Sequence, residues 1–277
     1  MNVEDAILAL GSDPRKAADM AAYHKIPRQY LGVSNSDIDA LTKTWRAELN
    51  LDARCDLAQA LWDSDIHEAR IAAAKLFTQA RIKPDDRRVW QTIQSWVPQF
   101  DGWAVTDAVS IAGQKRLLAN PARIDEIALW VGSEHLWTRR ATLVMTLPWT
   151  KQNFPKSEDL EIRDRVLVWA ATYSADSEWF LQKAVAWWIR ELSKHDANRA
   201  RAFLATHGDQ MRPSLRKEAG RLLRLNLPQG AAHDLARGRH RHRVQTFNPA
   251  RRNMRRDVLF NALYEHVGQP APYRPVP

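Results

Sequence analysis

The sequence is poor in the parts from which many folds and sites are built. It has one cysteine, Cys55, in 277 residues. That excludes an internal disulfide and a cysteine-rich zinc site, and it fits a reducing, cytoplasmic setting. It has only ten glycines and no glycine-rich phosphate loop, which argues against a nucleotide-driven helicase or kinase. No apolar run approaches the ~20 residues needed to cross a bilayer, so no membrane association is expected. The opening MNVEDAILAL is acidic and helix-like, so no signal peptide is expected. Period-2 alternation, the mark of a half-buried strand, is almost missing.

With 45% hydrophobic and 26% charged residues, the composition is that of a folded protein. Apolar residues recur at 3–4 spacing in blocks of 12–18, broken at Ile26-Pro27, Lys83-Pro84, Val97-Pro98, Asn120-Pro121 and Arg212-Pro213. Ser34 followed by Asp37 predicts a capped helix start. Asp85 and Asp86 suit the first turn of the next helix, where acids meet the positive end of the dipole. The pattern predicts an all-α fold of ten to twelve helices.

A degenerate repeat runs through it. LAQALWDSDIHEARIAAAKLF (57–77), IALWVGSEHLWTRRATLVM (127–145) and LVWAATYSADSEWFLQKAVAWWI (167–189) each read as helix, short polar turn, helix. Aligning Ala72, Ala108, Ala141, Ala184 and Ala219 gives steps of 36, 33, 43 and 35 residues. Periods of this size belong to helical-hairpin solenoids, which curve and present a long concave face. The expected repeat domain is 1–228. The expected remainder, 229–277, is an Arg-rich and partly disordered extension, with a short helix over 253–264 and a Pro-rich end.

Charge is unevenly spread. The net charge is +9. From Pro228 onward there are nine Arg and no Lys against Asp234, Asp257 and Glu265, a net +6 that leaves +3 for the body. A basic balance points to an anionic partner, with nucleic acid the leading candidate. The run Arg239-His240-Arg241-His242-Arg243 is a poor metal motif because its arginines repel a cation, so no metal or other cofactor is expected.

The residue before each aligned alanine is Asp107, Arg140, Lys183 and Glu218 in four repeats. Trp103 precedes Asp107 by four, on one helical face. Alone, that spacing more often marks a helix acid beside a core indole. Trp137 precedes Arg140 by three, and Lys183, Trp187 and Arg190 share one face. Cations interleaved with indoles on successive helices suit a polyanion groove. Twelve tryptophans, all between Trp45 and Trp188, exceed what packing alone calls for. The neighbours Trp187 and Trp188 point about 100° apart around a helix, so one can be core while the other faces the groove.

Five segments, YLGVSNSDIDAL, LWDSDIHEARIAAAKLF, GWAVTDAVS, LWTRRATLVM and SEWFLQKAVAWWIRE, in this order and spacing resemble the AlkD-type DNA alkylation repair glycosylases, built from HEAT-like repeats. The resemblance covers residues 15–225. It implies hydrolysis of the N-glycosidic bond of cationic purines such as 3-methyladenine and 7-methylguanine in duplex DNA, by a cofactor-free monomer with no obligate protein partner. It implies Asp107 as the catalytic carboxylate, Trp103 and Trp187 as indoles flanking the lesion's deoxyribose, and Arg140 as a DNA-backbone contact. Lys183 and Arg190 are further expected phosphate contacts. In the family the first motif's Trp is usually followed by a second acid; here that position is Ala104, which bears on fine positioning. Two rival readings are a non-catalytic DNA-binding solenoid and a helical scaffold for an acidic protein.

Overall fold

The computed structural model describes residues 1–223. The expected boundary near 228, the extension 229–277, the helix over 253–264 and the His-x-His run lie outside the described residues. Thirteen α-helices make up the described chain. Two short ones, α1 (Val3–Leu10) and α2 (Pro14–His24), precede α3 (Asn35–Glu48). Five helical hairpins follow: α4 (Leu51–Asp63) with α5 (His67–Lys75), α6 (Arg87–Trp96) with α7 (Trp103–Ala119), α8 (Ile124–Ala128) with α9 (Leu136–Met145), α10 (Ser157–Ser174) with α11 (Trp179–Leu192), and α12 (Ala197–His207) with α13 (Pro213–Ala219). No strand occurs among the described residues, only an isolated bridge between Gln29 and Ile66. The count exceeds the sequence expectation because α8 is one and a half turns long, too short to show a period.

The hairpins stack in two layers. The second helix of each hairpin packs on the next, giving an inner row α3, α5, α7, α9, α11, α13. In the outer layer α4 meets α6 and α10 meets α12. Neighbouring inner helices run parallel: Asp107 meets Arg140 near the starts of α7 and α9, while Gln114 donates to the Val144 carbonyl (2.9 Å) near their ends. Gly113 lets the two helices close, since a Cβ there would sit 2.6 Å from the Met145 sulfur. The aligned Ala72, Ala141, Ala184 and Ala219 are all buried in this row, where a larger side chain would push the helices apart.

Polar contacts repeat with the same stride. Trp62 and Trp96 stack with centroids 4.5 Å apart, and each indole N–H is met by the other repeat's glutamine: Trp62 donates to Gln99 (2.9 Å) and Trp96 to Gln59 (3.1 Å). Buried indoles need such partners, which is why tryptophan can serve as inter-repeat cement. Seven of the twelve tryptophans are buried; Trp103, Trp130, Trp137, Trp179 and Trp187 are half-buried.

The capping expectations divide. The Ser34 hydroxyl accepts from the Asp37 amide at 3.2 Å, as its spacing predicts. Asp86 occupies the N-cap position of α6 but makes no side-chain cap. Instead it accepts from Arg116 (2.8 Å) and Arg123 (2.9 and 2.6 Å), which ties the start of α6 to the end of α7. Two buried guanidiniums outcompete a local amide because a charge-assisted pair is stronger and each cation needs a partner.

The segment YLGVSNSDIDAL owes its shape to LWDSDIHEARIAAAKLF. Glu68, fully buried, accepts from the amides of Leu31 (2.9 Å), Gly32 (2.7 Å) and Val33 (3.3 Å). Gly32 has φ +78°, and a Cβ there would lie 2.4 Å from the Asp13 carbonyl. Only glycine fits this turn, which docks α2 against the solenoid.

Candidate active site

The inner row sets the candidate site. Trp103 opens α7, Trp137 is the second residue of α9 and Trp179 opens α11. Half-buried indoles therefore line the amino ends of three successive parallel helices, where backbone N–H groups and helix dipoles favour anions. One turn further in lie Asp107, Arg140 and Lys183, at equivalent positions of α7, α9 and α11.

Asp107 and Arg140 form a two-pronged ion pair between repeats. Arg140 Nε donates to Oδ1 at 2.9 Å and Nη2 to Oδ2 at 2.8 Å. The remaining Nη1 donates to the Phe180 carbonyl of α11 at 2.7 Å. Arg140 thus joins three inner helices through one planar group, a task its rigid fork suits. Both side chains are about 1% exposed. A carboxylate so paired is held at fixed orientation.

Lys183 lies on α11, one turn beyond Phe180. Its ammonium sits over the Trp179 ring, 4.5 Å from the centroid. Burial pushes the amine down to about 8; Arg140 and Arg190 push the same way, while Asp107 opposes them. Trp187, on the same face, is half-buried, whereas Trp188 is 0% exposed, as the angle between neighbours requires.

The structure brings together Asp107, Arg140 and Lys183 and sets Trp103 on the Asp107 helix face. Arg190 is turned to another task. It is buried, ion-paired with Glu218 of α13 and 3.6 Å from Glu191, and its burial lowers its affinity for the proton. In this arrangement the guanidiniums of Arg140 and Arg190 both face protein carboxylates.

Sequence reasoning missed the aromatic group behind Trp103. His24, the last residue of α2, lies 5.4 Å from the Trp103 ring, 4.5 Å from His67 and 5.9 Å from Tyr30. Tyr23 meets Trp103 edge-on at 6.3 Å. These residues come from α2, the turn after it, α5 and α7, so no local spacing announces them.

A family model described as DNA alkylation repair enzyme matches residues 5–223. Among solved structures, the chain is similar to a predicted DNA alkylation repair enzyme from Enterococcus faecalis, with TM-score 0.66 and 21% identity over 78% of this chain and 98% of that one. It is similar to AlkD2 from Streptococcus mutans, with TM-score 0.52 and 17% identity over 76% of this chain and 98% of that one. At these identities the structural likeness establishes the fold, a stack of helical repeats. No curated protein matches the chain.

Proposed function

The chain belongs to the DNA alkylation repair enzyme family, and we propose that it is a DNA glycosylase that removes cationic alkylpurines, such as 3-methyladenine and 7-methylguanine, and leaves an abasic site. The observation that carries the reading is one oriented carboxylate, Asp107, on a helix face with Trp103, in a row whose helix starts carry indoles.

The chemistry needs little more. A purine alkylated on a ring nitrogen is already positive and leaves as a neutral base, so no general acid is required, unlike a glycosidase with two carboxylates. The barrier is the positive charge that grows on the deoxyribose. An ionised carboxylate aimed at that charge lowers it without reorganisation. Indole faces add cation–π attraction of ~0.5–2 kcal/mol each, a role we assign to Trp103 and Trp187. We assign to the Asp107 carboxylate the orienting of the attacking water as well.

Arg140 acts on substrate through Asp107, which it holds in place, in addition to the backbone contact expected of it. Lys183, half-buried at the helix starts, is the phosphate contact this geometry favours. Helix amino ends and Lys183 together position the backbone, while the carboxylate does the chemistry.

One observation favours a second reading, DNA binding without chemistry: Asp107 is about 1% exposed and paired on both oxygens. The two readings part in a single assay. Purified protein is incubated with methylated duplex DNA and the released bases are quantified. Glycosylase action gives release of 3-methyladenine and 7-methylguanine, reduced at least ~10²-fold in Asp107→Asn, the scale of removing a principal electrostatic group. Equal release by wild type and Asp107→Asn removes Asp107 from the mechanism. Binding of alkylated duplex with no release establishes the second reading.

A further inference from the structure

The aromatic group behind Trp103 has no part in the chemistry above, yet it is assembled from four separate elements, with Tyr30 and His67 buried, His24 half-buried and Tyr23 exposed at its edge. His24 ends α2 and touches four rings: Tyr23 (5.0 Å), Tyr30 (5.9 Å, nearly coplanar at 7°), His67 (4.5 Å) and Trp103 (5.4 Å). Tyr30 also packs on His67 at 4.8 Å, and its hydroxyl donates to the Ile26 carbonyl at 3.3 Å. His67 is 1% exposed, and its Nδ1 is buried with no hydrogen-bond partner. The segment that carries His24 and Tyr30 is itself clamped, because Glu68 takes the three amides that follow Tyr30.

We propose that His24 is a positioning residue of the glycosylase site, whose ring backs the Trp103 indole and, by presenting no positive charge there, sets the site's preference for a cationic sugar. The inference rests on the glycosylase reading of Asp107 and Trp103.

Two features argue for it. First, His24, itself stacked on Tyr30, packs against Trp103 at a 38° tilt while Tyr23 meets the indole edge-on, so the indole is held from two sides; aromatic pairs are worth ~0.5–1.5 kcal/mol each beyond their burial. Second, the environment keeps both imidazoles neutral. Burial pushes His24 down to about 4, and Arg28 pushes the same way; burial pushes His67 down to about 3, with His24 and Arg28 adding to it. A cation at His24 would compete for the indole π-face and repel positive charge on the opposite side of the ring. A neutral aromatic buttress is what a site for an oxocarbenium-like sugar requires at this point.

The test uses full-length protein and two duplexes, one with a cationic pyrrolidine in place of the abasic sugar and one with neutral tetrahydrofuran. The readout is the ratio of their affinities, measured without any base release. Wild type is expected to favour the cation by about tenfold or more, as is His24→Phe, which keeps the ring. His24→Lys is expected to bring the ratio to one or below, a change of about twentyfold, as one unit charge ~9 Å away produces at an effective dielectric of ~20. His24→Ala, which removes one ring contact of Trp103, is expected to lower it by about threefold, within reach of losing one aromatic contact. If His24→Lys fails to fold, the Ala and Phe variants decide the matter. A wild-type ratio in folded His24→Lys, loss of preference in His24→Phe, or no effect in His24→Ala each overturns the proposal while leaving the glycosylase reading standing. No preference in wild type overturns both.

Discussion

Arg140 holds Asp107 by two parallel hydrogen bonds across the seam between adjacent repeats, at 2.9 and 2.8 Å. The two residues are one repeat apart in sequence and occupy the same register position on α7 and α9. The stacking that builds the solenoid therefore also builds the carboxylate's clamp. Because the third guanidinium nitrogen reaches the Phe180 carbonyl, the clamp extends to α11 and to the helix that carries Lys183 and Trp187.

Removing one member of this buried pair should cost far more than removing both. Arg140→Met strands a desolvated carboxylate and is expected to destabilise the fold by ~3–5 kcal/mol. The double variant Asp107→Leu/Arg140→Met is expected to regain most of that stability while releasing no alkylated base. Urea unfolding of the two single variants and the double variant measures the coupling; additive losses would show that the pair does not act as a unit.

Lys183 is expected to give DNA affinity a pH dependence. Its amine, pushed down to about 8, is charged below that pH and neutral above it. Contact with a phosphate raises the amine's pKa in the complex, so affinity is expected to fall as pH rises above about 8. In Lys183→Arg, charged throughout, this fall should vanish. Fluorescence anisotropy with duplex DNA from pH 7 to 9 checks it, and an unchanged fall in Lys183→Arg assigns the titration elsewhere.

The buried imidazole of His67 is expected to make stability depend on acid. His67, at about 3 in the folded chain against 6.5 unfolded, stays neutral while the unfolded chain takes up a proton. The unfolded state binds more protons between these values, so stability is full above pH 6.5 and declines as pH falls towards 3. His67→Phe keeps the ring packing and removes the titration, so its stability should decline less steeply across that window. Thermal melts at pH 7, 5.5 and 4.5 report the difference; parallel slopes would exclude His67 as the source.

The Arg-rich extension 229–277 is expected to contribute to affinity and not to chemistry. Its nine arginines are expected to act as an electrostatic arm. Deleting it should weaken DNA binding and flatten its salt dependence, each lost phosphate contact lowering the slope by ~0.9. Single-turnover base release at saturating enzyme should stay as in wild type. Loss of that release, with the body still folded, would place the extension in the chemical step.

Some of this protein is written locally in its sequence. The helices follow from apolar spacing and proline breaks, since both act within one turn or two. The repeat follows from alanines recurring where inner helices meet. That Trp103 and Asp107 share a face, and that Trp187 and Trp188 part between solvent and core, follows from 3.6 residues per turn alone. The register between helices is a different matter, because it is set by how whole faces interlock. Sequence marked Arg140 and Arg190 as cations beside indoles and read both towards phosphate; it did not show the protein carboxylates, Asp107 and Glu218, that packing brings to them, since a guanidinium drawn out of water needs a partner of opposite charge. Sequence placed Asp86 at a helix start; packing turned it to Arg116 and Arg123. Nothing local links His24 to Trp103. They meet only because Glu68 clamps the turn after α2 and Gly32 allows that turn to form, a long-range closure that no periodicity encodes.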